Sequence, residues 1–250
     1  MLELERAIGF IVRAAYYTRP KSHTQAPKPS LVTDTEPPPK APPNPFARAR
    51  FLMSAAKLPQ LPQDTAPEVA FVGRSNAGKS SALNLICQQK QLARVSKTPG
   101  RTQLINLFDL PGAAPAGPPL GRLVDLPGYG FAQVPEEIRR DWGTMVGGYV
   151  EKRPNLRGLV VVMDIRHPLT DLDRQMLGWC ASRGVAGHVL LTKGDKLGRG
   201  AAKGTLLKVQ AELQRIDPEM SVQTFSALAQ TGAEEVRQVL TGWLQEAPAA

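Results

Sequence analysis

Gly73-Arg74-Ser75-Asn76-Ala77-Gly78-Lys79-Ser80 is the stretch on which the reading of this sequence turns. It follows the apolar run Val69-Ala70-Phe71-Val72 and opens a helical pattern over 80–89. The spacing is G-x-x-x-x-G-K-S, and strand, loop and helix in that order are the setting the motif requires. Glycines let successive backbone N–H groups converge on phosphate oxygens. The helix opening at Ser80 adds the positive end of its dipole. The Lys79 amine can reach the outer phosphates of a nucleotide, and the Ser80 hydroxyl can ligate Mg²⁺. A plain glycine-rich turn is the bland alternative, and the strand–loop–helix setting argues against it.

Working outward, further strand patterns fall at Leu104–Leu110, Leu120–Val124, Leu159–Met163, His188–Leu191 and Ser221–Phe225. With 69–72 they make six. Leu159-Val160-Val161-Val162-Met163 is almost wholly apolar, as a strand buried on both faces must be. Helical patterns at 80–89, 135–151, 171–183, 203–215 and 232–244 lie between them. The alternation predicts an α/β fold of three layers, with a six-stranded, mostly parallel sheet covered on both faces. Ligands of such folds sit at the carboxyl ends of the strands.

The next motifs fall at those ends. Asp125-Leu126-Pro127-Gly128 closes the third strand. Its carboxylate can hold Mg²⁺ through a water, and the Gly128 N–H can touch a γ-phosphate. Thr192-Lys193-Gly194-Asp195 closes the fifth. An acceptor-only carboxylate at Asp195 suits the N1–H and amine of guanine, a donor pair that adenine lacks. The Lys193 stem can cover the face of the base. Ser226-Ala227 closes the sixth, where small residues let backbone N–H groups approach the guanine O6. Between the first two motifs runs a basic, turn-rich segment from Arg94 to Gln103, where a nucleotide-sensing switch is expected. Thr102 and Thr98 are its candidate Mg²⁺ ligands, and Thr102 is the better placed.

The leading segment is different in kind. Of the 23 prolines, 11 lie in residues 1–66 and eight of those between Pro27 and Pro45. Proline removes a backbone donor and fixes φ, so residues 1–52 are expected to be a largely disordered, Pro-rich extension, 53–66 a lead-in, and 67–250 the folded domain. Residues 2–17 could form a short amphipathic helix, and Met53 is a plausible alternative start. The chain of 250 residues holds 31 Lys+Arg against 22 Asp+Glu, a formal charge of +9, which favours an anionic partner. Two cysteines, Cys87 and Cys180, exclude a disulfide scaffold and read as core residues of helices. No apolar run approaches the roughly 18 residues of a membrane span. A reduced, cytoplasmic compartment, no membrane partner and a monomer are expected.

The longer runs around these motifs resemble the EngB (YihA/YsxC) family, in the TrmE-Era-EngA-EngB-Septin-like class of P-loop GTPases. They are Gly73 to Ser81, Ser96-Lys97-Thr98-Pro99-Gly100-Arg101-Thr102-Gln103, Asp125 to Ala132, Met163 to Leu169, Thr192 to Leu197 and Phe225-Ser226-Ala227. Trp142 also matches. The resemblance covers about 67–245. Within it Thr192 is the expected residue where most GTPases have Asn, and Gly194 stands where the family usually has Ala. The resemblance implies a Ras-like P-loop GTPase domain and a role in assembling the large ribosomal subunit, with ribosomal RNA as partner. It also implies a requirement in cell division and septation. By position, GTP or GDP would be contacted by Gly73, Arg74, Ser75, Asn76, Ala77, Gly78, Lys79 and Ser80. Gly100, Arg101, Thr102, Gln103 and Leu104 would follow, then Asp125, Leu126, Pro127 and Gly128. The base would meet Thr192, Lys193, Gly194, Asp195, Phe225, Ser226 and Ala227. Lys79, Thr102 and Gly128 would be catalytic. Ser80 and Thr102 would bind Mg²⁺ directly, and Asp125 through water.

The residue after D-x-x-G is Tyr129, where many GTPases carry a water-orienting Gln, so slow intrinsic hydrolysis is expected. A ribosomal particle could complete the site. So could K⁺ held by Asn76; a loop-stabilising role is the alternative for that residue. Arg74 and Arg101 are candidate arginine fingers in cis, with RNA or solvent contact as the plainer reading. His167, Trp142, Trp179 and Trp243 read as structural. A nucleotide-gated RNA-binding module with negligible hydrolysis is the alternative function.

Overall fold

The computed structural model describes residues 44–93, 104–112, 119–130 and 136–246, with side chains of 136–142 excepted. The Pro-rich run up to Pro43, Arg94 to Gln103 and the Trp142 side chain therefore lie outside the described residues.

Seven strands form one sheet: β1 (Arg50–Ala55), β2 (Glu68–Gly73), β3 (Ile105–Leu110), β4 (Gly121–Asp125), β5 (Leu156–Asp164), β6 (Ala186–Thr192) and β7 (Ser221–Thr224). Their order across the sheet is β1-β3-β4-β2-β5-β6-β7. β1 and β4 both run antiparallel to β3, and the remaining pairs are parallel. The helices are α1 (Lys79–Ile86), α2 (Glu136–Lys152), α3 (Asp171–Arg183), α4 (Arg199–Ile216) and α5 (Ala233–Gln245).

Alternation along each central strand builds the three layers. Ala70 and Val72 of β2, with Leu159, Val161 and Met163 of β5, pack with α2, α3 and α4. Val69, Phe71, Val160 and Val162 point the other way, into α1 and α5. Trp243 of α5 reaches the sheet because Gly158 leaves room for its ring; a Cβ there would stand 2.1 Å from a ring carbon.

Among the described residues the sheet has seven strands where six were expected. The seventh, β1, crosses the expected boundary between extension and lead-in at residue 52 and pairs antiparallel with β3, with a register shift between Phe51 and Met53. The turn before it is anchored too: Phe46 is fully buried, Asn44 donates to the Ile86 carbonyl at 3.1 Å, and Gln89 donates to Ala49 at 2.8 Å. Residues 42–250 accordingly group as one compact unit.

Buried charge sits at the amino end of β2. Glu68 has no exposed surface and accepts from Tyr149 at 2.7 Å and from Arg153 at 2.6 and 2.8 Å. Arg122 of β4 lies 3.8 Å from it and grips Asp64 with two hydrogen bonds of 2.6 Å. That guanidinium holds the Asp64 carboxyl below the usual carboxylate range. Among the described residues no helix is long and apolar enough to cross a membrane.

Candidate functional site

The expected motif residues that are described gather at the carboxyl end of the parallel strands. Gly73 ends β2 so close to β5 that a Cβ would stand 2.5 Å from the Val162 carbonyl oxygen. Gly78 adopts φ +103°, a conformation L side chains avoid, and caps α1. The loop between them leads into α1 at its mouth, where Lys79 and Ser80 open the helix and are half-buried.

Contacts join the phosphate loop to the D-x-x-G turn. Ser75 N–H donates to the Tyr129 carbonyl at 2.7 Å, and Tyr129 N–H donates to the Gly73 carbonyl at 3.2 Å. The Lys79 ammonium pairs with Asp125. Gly128 lies against the loop, its Cβ direction 3.2 Å from the Gly73 oxygen. Leu126 is buried and donates from its amide to the Phe71 carbonyl at 2.9 Å. Arg74 is exposed and covers Gly130, so its guanidinium lies over this turn.

A second set joins the loop to the base motif. The Thr192 hydroxyl contacts the Ala77 carbonyl and also donates toward Met163 O at 3.0 Å. Lys193, at φ +59°, throws its ammonium to the Asn76 carbonyl at 2.6 Å and to Asp164 at 2.9 Å. Asp164 also takes both forks of Arg166, and these cations hold its carboxyl far below the usual range. Asn76 itself is exposed, with φ +62°.

A third set closes the base end. Ser226 Oγ donates to Asp195 Oδ1 at 2.6 Å, and this hydroxyl is the main cause of a lowered Asp195 pKa. Gly194 N–H donates to the Phe225 carbonyl at 3.0 Å. The Asp195 carboxylate is thus held ionised and oriented, as an acceptor for two adjacent N–H groups must be. The base-end loops and the phosphate loop are one hydrogen-bonded assembly through Thr192 and Lys193.

Tyr129 points away from all this. Its ring is 2% exposed and its hydroxyl bonds to Asp173, which also accepts the Thr170 amide at the start of α3. Burial and that carboxylate push the phenol pKa far up. Its side chain belongs to the core and does not face the loop mouth.

Residues 68–193 match the model of a family described as a 50S ribosome-binding GTPase. The probable GTP-binding protein EngB of Escherichia coli strain K12 is 53% identical over 201 residues, which span 80% of this chain and 92% of that protein. The chain belongs to the EngB family of GTP-binding proteins. Its counterpart in Shigella boydii serotype 18 matches equally well, at 53% identity over 201 residues and the same shares of both chains. A crystal structure of a probable EngB superposes with a TM-score of 0.57 at 19% identity, over 72% of this chain and all of the other. Era, crystallised with MgGDPNP and a piece of 16S ribosomal RNA, gives 0.55 at 21% identity, over 74% of this chain and 58% of its own. Those two likenesses show the Ras-like α/β P-loop fold. As an EngB-type protein the chain is a GTP hydrolase.

The residues expected to serve a divalent ion, Ser80 with its hydroxyl and Asp125 with its carboxylate, present hard oxygens, the donor type that suits Mg²⁺. Among the described residues no cluster of three or more His, Cys, Asp or Glu could hold a metal. Gly100, Arg101, Thr102 and Gln103, with Thr98, lie outside the described residues; Leu104 is described and leads into β3. His167 is exposed, Trp179 is partly buried on α3, Trp243 is buried on α5, and both cysteines are buried. Sequence reasoning missed Asp164 as the anchor of Lys193 and Asp173 as the anchor of Tyr129. The chain order of neither residue signals its partner.

Proposed function

We propose that this EngB-family GTPase uses Mg²⁺ and works as a monomeric cytoplasmic assembly factor for the large ribosomal subunit, through which it bears on cell division and septation. The single observation that carries the nucleotide reading is the hydrogen-bonded assembly through Thr192, which holds phosphate loop and base loop at one separation. The ribosomal partner is supported by the formal charge of +9 and by the description of the matching family.

In this reading Lys79 leaves Asp125 for the β- and γ-phosphates, and the amides of Gly73 to Ser80 line the rest of the triphosphate. Gly128 N–H meets the γ-phosphate, and Asp195 selects guanine. Ser80 and Thr102 would hold Mg²⁺ directly, and Asp125 would hold it through water. Bound Mg²⁺ supplies neutralisation of the charge that develops between the β- and γ-phosphates. The reaction is GTP plus water to GDP plus phosphate. With Tyr129 turned into the core, no side chain at that position orients the water, so hydrolysis is slow until something completes the site. The ribosomal particle is one activator. K⁺ held at Asn76 is the other, and equal turnover in KCl and NaCl would remove it.

The deciding test is co-sedimentation of the full chain with isolated large subunits, in GDP and in a non-hydrolysable GTP analogue. Pelleting favoured by the analogue is expected. No association in either state overturns the ribosomal role.

A further inference from the structure

Away from the nucleotide site, strand β1 and the loop after α1 enclose an open groove of about 580 Å³. Phe51 stands in it with 60% of its surface exposed, followed by Leu52 at 39%. A Phe ring held out in solvent beside cations is a flat apolar platform with charge at its margin. The ring is not loose. It meets buried Phe108 edge-on, with centroids 6.0 Å apart and planes at 70°. Arg50 precedes it, and Lys90 stands on the opposite wall; neither makes an ion pair among the described residues. Gln89 ties the walls together through its bonds to Ala47 and Ala49, leaving exposed Gln91 as an amide on the rim. The groove thus offers one aromatic platform, two cations with no ion pair among the described residues, although Asp109 lies opposite Arg50 in the β1–β3 register, and an amide.

We propose that this groove docks an unpaired stretch of RNA, the Phe51 ring stacking on a base while Arg50 and Lys90 meet the flanking phosphates. The proposal rests on the ribosomal reading above and names the surface that serves it. Stacking on an aromatic platform with cations along the backbone is how unpaired strands are held. The other occupant an edge strand invites is a peptide that adds to the sheet. Two features disfavour it here. The register of β1 slips between Phe51 and Met53, a bulge that interrupts the edge ladder, and the paired cations suit phosphates better than a backbone.

The test uses the full chain with GDP bound, a short fluorescein-labelled uridine single strand, and anisotropy over a salt series. Phe51→Ala is expected to weaken binding about tenfold, and Phe51→Trp to restore it, since any flat ring can stack. Arg50→Glu with Lys90→Glu should weaken it further and reduce the salt slope by about two. GDP affinity and melting temperature, measured alongside, should hold in the charge variant. Unchanged RNA affinity in both the Ala and Glu variants overturns the proposal. So does a duplex competing as well as the single strand. A defect in subunit co-sedimentation with Phe51→Ala but not with the charge pair also overturns it, and would point to protein strand addition. If these variants pellet with large subunits like the parent chain, the groove is wrong and the ribosomal role stands. If the parent chain itself fails to pellet, it is the ribosomal role that falls.

Discussion

Replacing Tyr129 by Phe removes one oxygen from the core and nothing from the loop mouth. The hydroxyl bonds to Asp173, and both residues are 2% exposed. Hydrogen bonds to a charged partner are worth about 1.5–3 kcal/mol, and a buried carboxylate left short of a donor keeps its desolvation cost. Asp173 retains the Thr170 amide, 2.7 Å away, so its loss is partial. We expect destabilisation of about 2 kcal/mol, which for a domain of this size is a fall in melting temperature of roughly 4–8 °C. Urea unfolding followed by circular dichroism gives the first figure and a thermal scan the second. A cycle with Asp173→Asn should show coupling of at least about 1 kcal/mol. Steady-state turnover of GTP should stay within about twofold of the parent, because the ring touches no reacting atom. Stability unchanged within about 0.5 kcal/mol, or a turnover that collapses while stability holds, would refute the placing of Tyr129 in the core and outside the chemistry.

Three further outcomes are expected. Asp195→Asn exchanges an acceptor-only group for one that also donates, so GDP affinity should drop by about a hundredfold or more while xanthosine diphosphate gains, as read by competition binding. His188 is buried between Ser221 and Gln223, and burial lowers its pKa from 6.5 to about 4. Because the unfolded chain takes up that proton first, stability should decline as pH falls from about 6.5 towards 4, by about 2 kcal/mol at pH 5, and His188→Gln should flatten the decline in urea titrations. A chain begun at Met53 loses fully buried Phe46 and half of β1, so it should unfold about 3–5 kcal/mol more easily than residues 44–250.

The central strands, the helices and the site motifs were legible because their signals are local. Leu159 to Met163 is apolar on both faces, and the phosphate loop is contiguous in sequence. β1 was not legible, for two physical reasons. It is an edge strand with a bulge at Leu52, so Arg50 to Ala55 shows no two-residue alternation, and only Ala55 at its end is buried. It also follows the Pro37 to Pro45 run, whose composition argues against any ladder. Glu68 was likewise hidden: a carboxylate beside an apolar run reads as a strand boundary, and its partners Tyr149 and Arg153 come more than 80 residues later. Asp164 and Asp173 escaped notice for the same reason, since their meaning lies in what the fold places across from them.

That buried carboxylate also bears on how the protein is made. Glu68 begins the strand that ends in the phosphate loop, and every side chain that neutralises it belongs to a later part of the chain, from Arg122 to Arg153. Until β4 and α2 are both in place, β2 has no fully compensated setting in which to bury that carboxylate. The strand that carries the phosphate loop is thus seated by residues from the middle of the chain, not by its own neighbours in sequence.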